Sequence, residues 1–311
     1  MPEAPRLVSK DGHTFEMRPI HCPTCGPHAG ETELGLRGGA HHRYELGVET
    51  RIVRCQRCGL MYPNPFPFPT DPQELYGDPA KYFEQHDSSA KVEASRKLIR
   101  GFCDHIGKRD ASLLDVGSGR GEMLGGARAE GLERVVGLEL SLAMVEAAKK
   151  AYDVDVQPLL LEDFAAQAEE TFDIIVLNAV IEHVYDPDSM IAACKKLIAP
   201  GGVLYLDVPN EDHLLADVAG AVNRILGRPG VFKLAPTFPP YHVFGFSPGS
   251  LTMLLAKHGF VVDRLEVRSG VHVPSSGGVK DRLVSLAGTA VNVVANRVGR
   301  GHNMFVWARP S

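Results

Sequence analysis

Leu113-Leu114-Asp115-Val116-Gly117-Ser118-Gly119-Arg120-Gly121, followed by Val135-Val136-Gly137-Leu138-Glu139, decides the fold. The first segment reads as a buried strand that breaks into a glycine-rich turn and opens a helix. Glycine lets a backbone turn tightly and approach a ligand where a Cβ would clash. The second segment is an apolar strand ending on a carboxylate, eighteen positions after Gly121. That is close to the roughly 20-residue offset at which an acid meets the ribose hydroxyls in nucleotide-binding βαβ units. A lone glycine pattern is weak, but the ordered series of strand, turn, helix, strand and acid is strong. An α/β domain for some other nucleotide is the alternative.

Outward from this unit, a helix over 90–106 carries Val92, Leu98, Ile99, Phe102 and Ile106 at helical spacing. Strands and helices alternate after Leu113, which predicts a parallel sheet covered on both faces. A fifth strand at 203–208 precedes an insertion, 209–245, with an amphipathic stretch at 212–226 and the proline-rich 235–240. This insertion leaves from the carboxyl end of a strand, where ligands of open α/β sheets sit, and is expected to act as a substrate lid; a peripheral packing element is the alternative. Ser247-Pro248 then caps a helix that ends at Gly259. A strand at 260–267 follows, a second insertion covers 269–302, and 303–308 closes the sheet.

The N-terminal third reads differently. Residues 1–20 lack periodicity and suggest a loose lead-in. Residues 63–89, with Pro63, Pro65, Pro67, Pro69, Pro72 and Pro79, suggest an extended linker, in which Tyr76, Tyr82 and Phe83 are candidates to close over a cofactor. Between them, at 21–62, lie two C-x-x-C-G knuckles, Cys22/Cys25 and Cys55/Cys58, twenty-nine residues apart. Four thiolates satisfy Zn²⁺ with no open coordination position, the structural pattern; a redox dithiol pair and unliganded thiols are the alternatives. Segments 44–46 and 51–54 are expected as a hairpin under the metal, and His21 and His28 as surface residues. Cys103 and Cys194 sit on apolar helix faces and are expected to pack.

A formal net charge of −5 argues against an extended nucleic-acid surface. A composition of 44% hydrophobic and 23% charged residues is that of a globular chain. No apolar run reaches the roughly 18 residues of a membrane span, and no secretory leader is evident, so the expected location is cytoplasmic.

Asp115 two residues before Gly117, with G-x-G-x-G in place of G-x-G-x-x-G, resembles the first motif of the class I S-adenosylmethionine (SAM)-dependent methyltransferases. Further stretches carry the resemblance through residues 90–210: Leu161-Glu162-Asp163-Phe164, Phe172-Asp173-Ile174-Ile175-Val176-Leu177-Asn178, Ile181-Glu182-His183-Val184-Tyr185-Asp186-Pro187 and Leu197-Ile198-Ala199-Pro200-Gly201-Gly202. The EHV-x-DP loop is similar to that of the ubiquinone-type O-methyltransferases. The paired knuckles and Tyr241-His242-Val243-Phe244-Gly245 resemble the nucleotide-sugar C-methyltransferases, which carry an acid where Tyr241 stands, and the zinc-module enzymes of glycan and natural-product clusters.

The resemblance implies an α/β fold, a mostly parallel seven-stranded Rossmann-like sheet in domain 90–311, with a zinc-ribbon-like module before it. It implies SAM as cofactor, with Asp115, Gly117, Ser118 and Gly119 at the methionine end and Glu139, with Leu140 beside it, at the ribose. Asp163 or Glu162 would read the adenine, with Phe164 adding apolar area and Asn178 facing the cofactor from its strand end. His183 and His242 are the candidates for taking a proton from a small-molecule acceptor; a turn-fixing and a cap contact are their bland alternatives. A non-catalytic scaffold subunit on the same fold is the second expectation for the whole chain, and an rRNA base methyltransferase, whose charge is usually basic, fits less well.

Overall fold

The computed structural model describes residues 4–42, 44–71, 88–227, 230–270 and 279–311, with the side chains of 279–284 excepted. Tyr76, Tyr82, Phe83, Pro72 and Pro79 lie outside the described residues.

The strands whose sequences are almost wholly apolar form the centre of the molecule. They are β7 (Leu113–Val116), β8 (Val135–Leu138), β10 (Phe172–Asn178) and β11 (Ile198–Pro209). With β9 (Asp155–Gln157), β12 (Phe260–Arg268) and β13 (Asn303–Pro310) they make a seven-stranded sheet in the order β12-β13-β11-β10-β7-β8-β9. All neighbours from β11 to β9 run parallel, and β13 runs antiparallel to both β11 and β12. The expected closing strand is therefore internal, not an edge.

A strand buried on both faces sends alternate side chains to opposite layers. Along β10, Ile174 and Val176 join one apolar cluster, while Ile175 and Leu177 join the other. The first cluster is covered by α1 (Ser88–Ile106), α2 (Glu122–Ala129) and α3 (Leu142–Tyr152). The second is covered by α4 (Leu161–Gln167), α5 (Pro187–Leu197) and α7 (Pro248–Lys257). Caps fix these helices where the sequence places them. Asp186 accepts from Ser189 N–H with Pro187 in the first turn, and Ser247 and Ser250 form a reciprocal capping box. The amphipathic stretch of the first insertion is α6 (Leu214–Ile225), and the second insertion holds α8 (Val279–Arg297).

The N-terminal third departs from expectation. The lead-in contains β1 (Arg6–Val8) and β2 (Thr14–Arg18), and β2 pairs with β6 (Phe66–Pro69) inside the stretch read as a linker. Phe15 and Met17 alternate inward along β2, which provides the burial that the polar flanks hide. The prolines are tolerated because β6 is the outer strand of its three-stranded sheet. The hairpin beside the cysteines is made by β3 (Glu31–Arg37), β4 (Thr50–Cys55) and β5 (Met61–Pro63), so 44–46 is a connection and not a strand.

This region is not a separate body on a tether. Cys22, Cys55, Cys58, Leu60, Tyr62 and Phe66 belong to the same apolar cluster as the sheet and α5. Phe66 meets Phe244 at 5.2 Å and Tyr185 at 5.8 Å between ring centres. The first insertion is a strap held from both sides, not a free lid. Thr237 Oγ1 donates to Val48 O, Met61 and Gly245 exchange both main-chain hydrogen bonds, and Val243 N–H donates to Glu182 O.

A shared core predicts shared unfolding. Phe66→Ala should cost about 3–5 kcal/mol and move a single denaturant transition to lower midpoint. An unshifted main transition with a separate early one would show that the cysteine region folds alone.

Candidate active site

In a parallel sheet the carboxyl ends of all strands lie on one edge, and the ligand crevice opens where the connections reverse direction. Here that point is between β7 and β10, so the turn after β7 and the loop after β10 stand side by side.

The turn after β7 is held by main-chain bonds: Gly117 and Ser118 N–H both donate to Leu138 O. Gly117 has φ +69°, and a Cβ there would come within 2.8 Å of Val180 on the neighbouring loop. Glu139, at the end of β8, accepts from Gly119 N–H at 3.0 Å and from Ser141 N–H at 2.9 Å. The acid predicted to meet ribose thus also holds the glycine turn, with further lone pairs on each oxygen. Asp115 is 3% exposed. Burial, then the negative charges of Glu139 and Glu122, push its carboxyl up to about 8. Ser118 Oγ is buried with no hydrogen-bond partner.

Crowded acids with no cation acting on Asp115 among the described residues, beside an orphaned hydroxyl, fit a ligand that brings positive charge and polar atoms. SAM carries both. Leu140, fully 57% exposed, follows Glu139 at the crevice. Glu162, Asp163 and Phe164 lie in the first turn of α4, not in a loop after β9. Acids are favoured in a first helical turn by the helix dipole alone. Glu162 is half-buried, with burial raising its pKa, and Asp163 is exposed. Asn178 is exposed at the end of β10.

Beyond β10 the two candidate histidines meet. The His183 and His242 rings stand edge to face with centres 4.8 Å apart. Tyr241, directly before His242, and Ala179, at the start of the loop that carries His183, have backbone in the left-handed region (φ +62° and +54°), a conformation uncommon for non-glycine residues. Burial lowers the pKa of His183. Burial, then His183 and His302, take that of His242 down to about 4.

A third group, absent from the sequence-based set, completes the cluster. Glu182 is 1% exposed, and its Oε1 lies 3.8 Å from His183 Nε2. Donor atoms of Glu182, His183 and His242 all lie within 4.8 Å of one another. The available signal was an acid next to a histidine in the loop after a largely apolar strand.

The four cysteines of the N-terminal region converge. The sulfurs of Cys22, Cys25, Cys55 and Cys58 lie within 4.8 Å of one another, with Cys22 and Cys58 at 3.6 Å, and none is in a disulfide. Cys25 Sγ also meets Met253 Sδ of α7 at 3.8 Å, and Lys257 of the same helix donates to Pro23 O. His21 and His28 are exposed, and Cys103 and Cys194 are buried in helix packing. Among the described residues no helix is long and apolar enough to cross a membrane.

Comparison with known proteins agrees with this geometry. A family profile described as a methyltransferase domain matches residues 87–265. The ubiquinone biosynthesis O-methyltransferase of Colwellia psychrerythraea is 30% identical over 193 residues, 58% of this chain and 73% of that one. That of Stutzerimonas stutzeri is 32% identical over 138 residues, 43% of this chain but only 57% of its own length. A crystal structure of a SAM-dependent methyltransferase from Archaeoglobus fulgidus superposes with a TM-score of 0.50 at 15% identity, covering 78% of this chain and all of that one; it shares the fold. With more than half of its length matched by that profile, the chain belongs to the SAM-dependent methyltransferase family.

Proposed function

We propose that the chain moves a methyl group from SAM to a hydroxyl of a small-molecule acceptor, such as a sugar, a glycan precursor or a phenolic natural product. The observation that carries this reading is the meeting of two half-buried imidazoles, His183 from the loop after β10 and His242 from the strap, on the side of the sheet where the neighbouring β7 ends in the acid-and-glycine turn. The relatives' names, which specify O-methylation, support oxygen as the acceptor atom.

SAM, when bound, supplies a methyl group already activated on a sulfonium. The chain's own residues have three tasks. Asp115 and Ser118, with the main chain of Gly117 and Gly119, would hold the methionine end. Glu139 would accept from the ribose while fixing the turn. Val180, the Tyr185–Phe66–Phe244 aromatic group and the strap would keep water from the acceptor, and a neutral imidazole would take its proton. A scaffold role is disfavoured by the intact Asp115, Glu139 and glycine turn.

We also propose that the four cysteines hold a structural zinc ion. A tetrahedron with Zn–S bonds of about 2.3 Å has edges of about 3.8 Å, close to the 3.6 Å between Cys22 and Cys58. All four positions are filled by protein, so the ion would take no part in methyl transfer. Because one thiol touches α7, it would fasten the N-terminal region to the sheet rather than only to itself.

Calorimetry with S-adenosylhomocysteine should show binding to the wild-type protein, weakened about 10- to 100-fold in Glu139→Ala by loss of charged hydrogen bonds worth about 1.5–3 kcal/mol. No binding by folded wild type would refute the proposed function. Metal analysis should find one zinc per chain, absent from Cys58→Ser, whose melting temperature falls in one transition.

Asp115 gives a pH test. Its folded carboxyl keeps a proton up to about pH 8, whereas the unfolded chain loses it near pH 4. The folded state therefore binds more protons across that window, and stability of the ligand-free protein falls as pH rises through it. Asp115→Asn should melt higher than wild type at pH 8, match it near pH 4, and bind S-adenosylhomocysteine more weakly. Equal melting at pH 8 would show that this carboxyl is not desolvated.

A further inference from the structure

Glu182 is a liability to folding in the ligand-free protein. It lies 1% exposed, and neither carboxyl oxygen has a hydrogen-bond partner. A glutamine or an aliphatic side chain of the same size would avoid the desolvation of a buried, unpaired acid. Its main chain has a clear structural duty, since Glu182 O accepts from Val243 and Phe244 N–H, but any residue could supply that carbonyl. What is specific to glutamate is the carboxyl, and the carboxyl is set against imidazoles.

The geometry singles out one nitrogen. His183 turns Nε2 towards Glu182 Oε1 at 3.8 Å, beyond a hydrogen bond but within reach of a small side-chain adjustment, and the ring is also hydrogen-bonded to the main chain of Tyr241. Its other nitrogen, Nδ1, is buried and without a partner. The remaining titratable groups that act on the cluster are His242 from the strap, His302 before β13, Asp207 on β11 and Glu211 after it. Burial first, then Asp207 and Glu211, push the Glu182 carboxyl up to about 8, so at neutral pH the cluster is a carboxylic acid beside two uncharged rings.

We propose that Glu182 is the positioning residue for proton removal: its carboxyl, together with the main chain of Tyr241, holds His183 with the proton on Nε2, leaving Nδ1 to receive the acceptor's proton, and offsets the charge that the ring then gains. This rests on the methyltransferase reading above. The acceptor's O–H bond breaks as the Nδ1–H bond forms, and the ring returns that proton to solvent when product leaves. No oxidant, reductant or metal enters. A carboxylate that orients and balances a ring in this way must be ionised when the acceptor reacts, so the competent state is populated on the alkaline side of the carboxyl's own titration.

The test uses the full-length zinc-loaded chain with ¹⁵N-labelled histidine, free and with S-adenosylhomocysteine. In wild type the His183 ring nitrogens should show an inflection near pH 8 that reports the neighbouring carboxyl. Glu182→Gln should abolish this inflection, keep the affinity for S-adenosylhomocysteine within about threefold, and melt higher than wild type at pH 8. Glu182→Asp should restore the inflection. Identical His183 titrations in wild type and Glu182→Gln would overturn the proposal. So would a Glu182→Gln protein that melts lower and loses the ligand, because the carboxyl would then be structural. A second metal equivalent in wild type that disappears in Glu182→Gln would overturn it as well. Failure of the methyltransferase reading is distinguishable, since it appears as absent ligand binding in wild type while the His183 titration remains measurable in the free protein.

Discussion

One continuous apolar surface supports everything else in this molecule. The side chains that β7, β10 and β11 send towards α5 and α7 form a single cluster with the cysteine loops and with Tyr62 and Phe66 of the N-terminal sheets. Apolar burial is non-directional and scales with area, so it brings the two parts together without deciding their orientation. Directional contacts do that: the Met61–Gly245 bond pair, Thr237 on Val48, and Arg37 on the main chain of Leu234. The strap between them carries His242, and its bonds to Glu182 O place that ring against His183. The position of the His242 ring therefore depends on contacts between residues nearly two hundred positions apart in sequence.

The parts of the fold legible in the sequence are those written in local chemistry. The Gly117 turn, the Glu139 strand end, the Asp186-Pro187 and Ser247-Pro248 caps and the apolar strands each declare themselves within a few residues. The N-terminal strands did not, for a physical reason. Strand β1 is exposed at all three positions, and the prolines of β6 are permitted only because it is an outer strand, which depends on which strand pairs with it. The site follows the same division. The glycines, Asp115 and Glu139 could be named from order and spacing, whereas Glu182 could not. Its significance lies in the burial that leaves its oxygens unpartnered and in a histidine that arrives from sixty residues away.

Two carboxyls, Asp115 on β7 and Glu182 in the loop after β10, are held above the ordinary carboxylate range by burial. Each of these desolvated acids costs the folded protein stability as pH rises through its raised titration range.

The placement of β13 has a consequence for how the chain assembles. β12 has β13 as its sole neighbour in the sheet, and β13 separates it from β11. When residues 260–268 leave the ribosome they have no edge to join, and β11 stays open until residues 303–310 are made. For the forty or so residues between, an unpaired edge of the central sheet is exposed to other chains. α8, which lies in that interval and packs against α6, is the element available to keep newly made β12 near its place until its partner arrives.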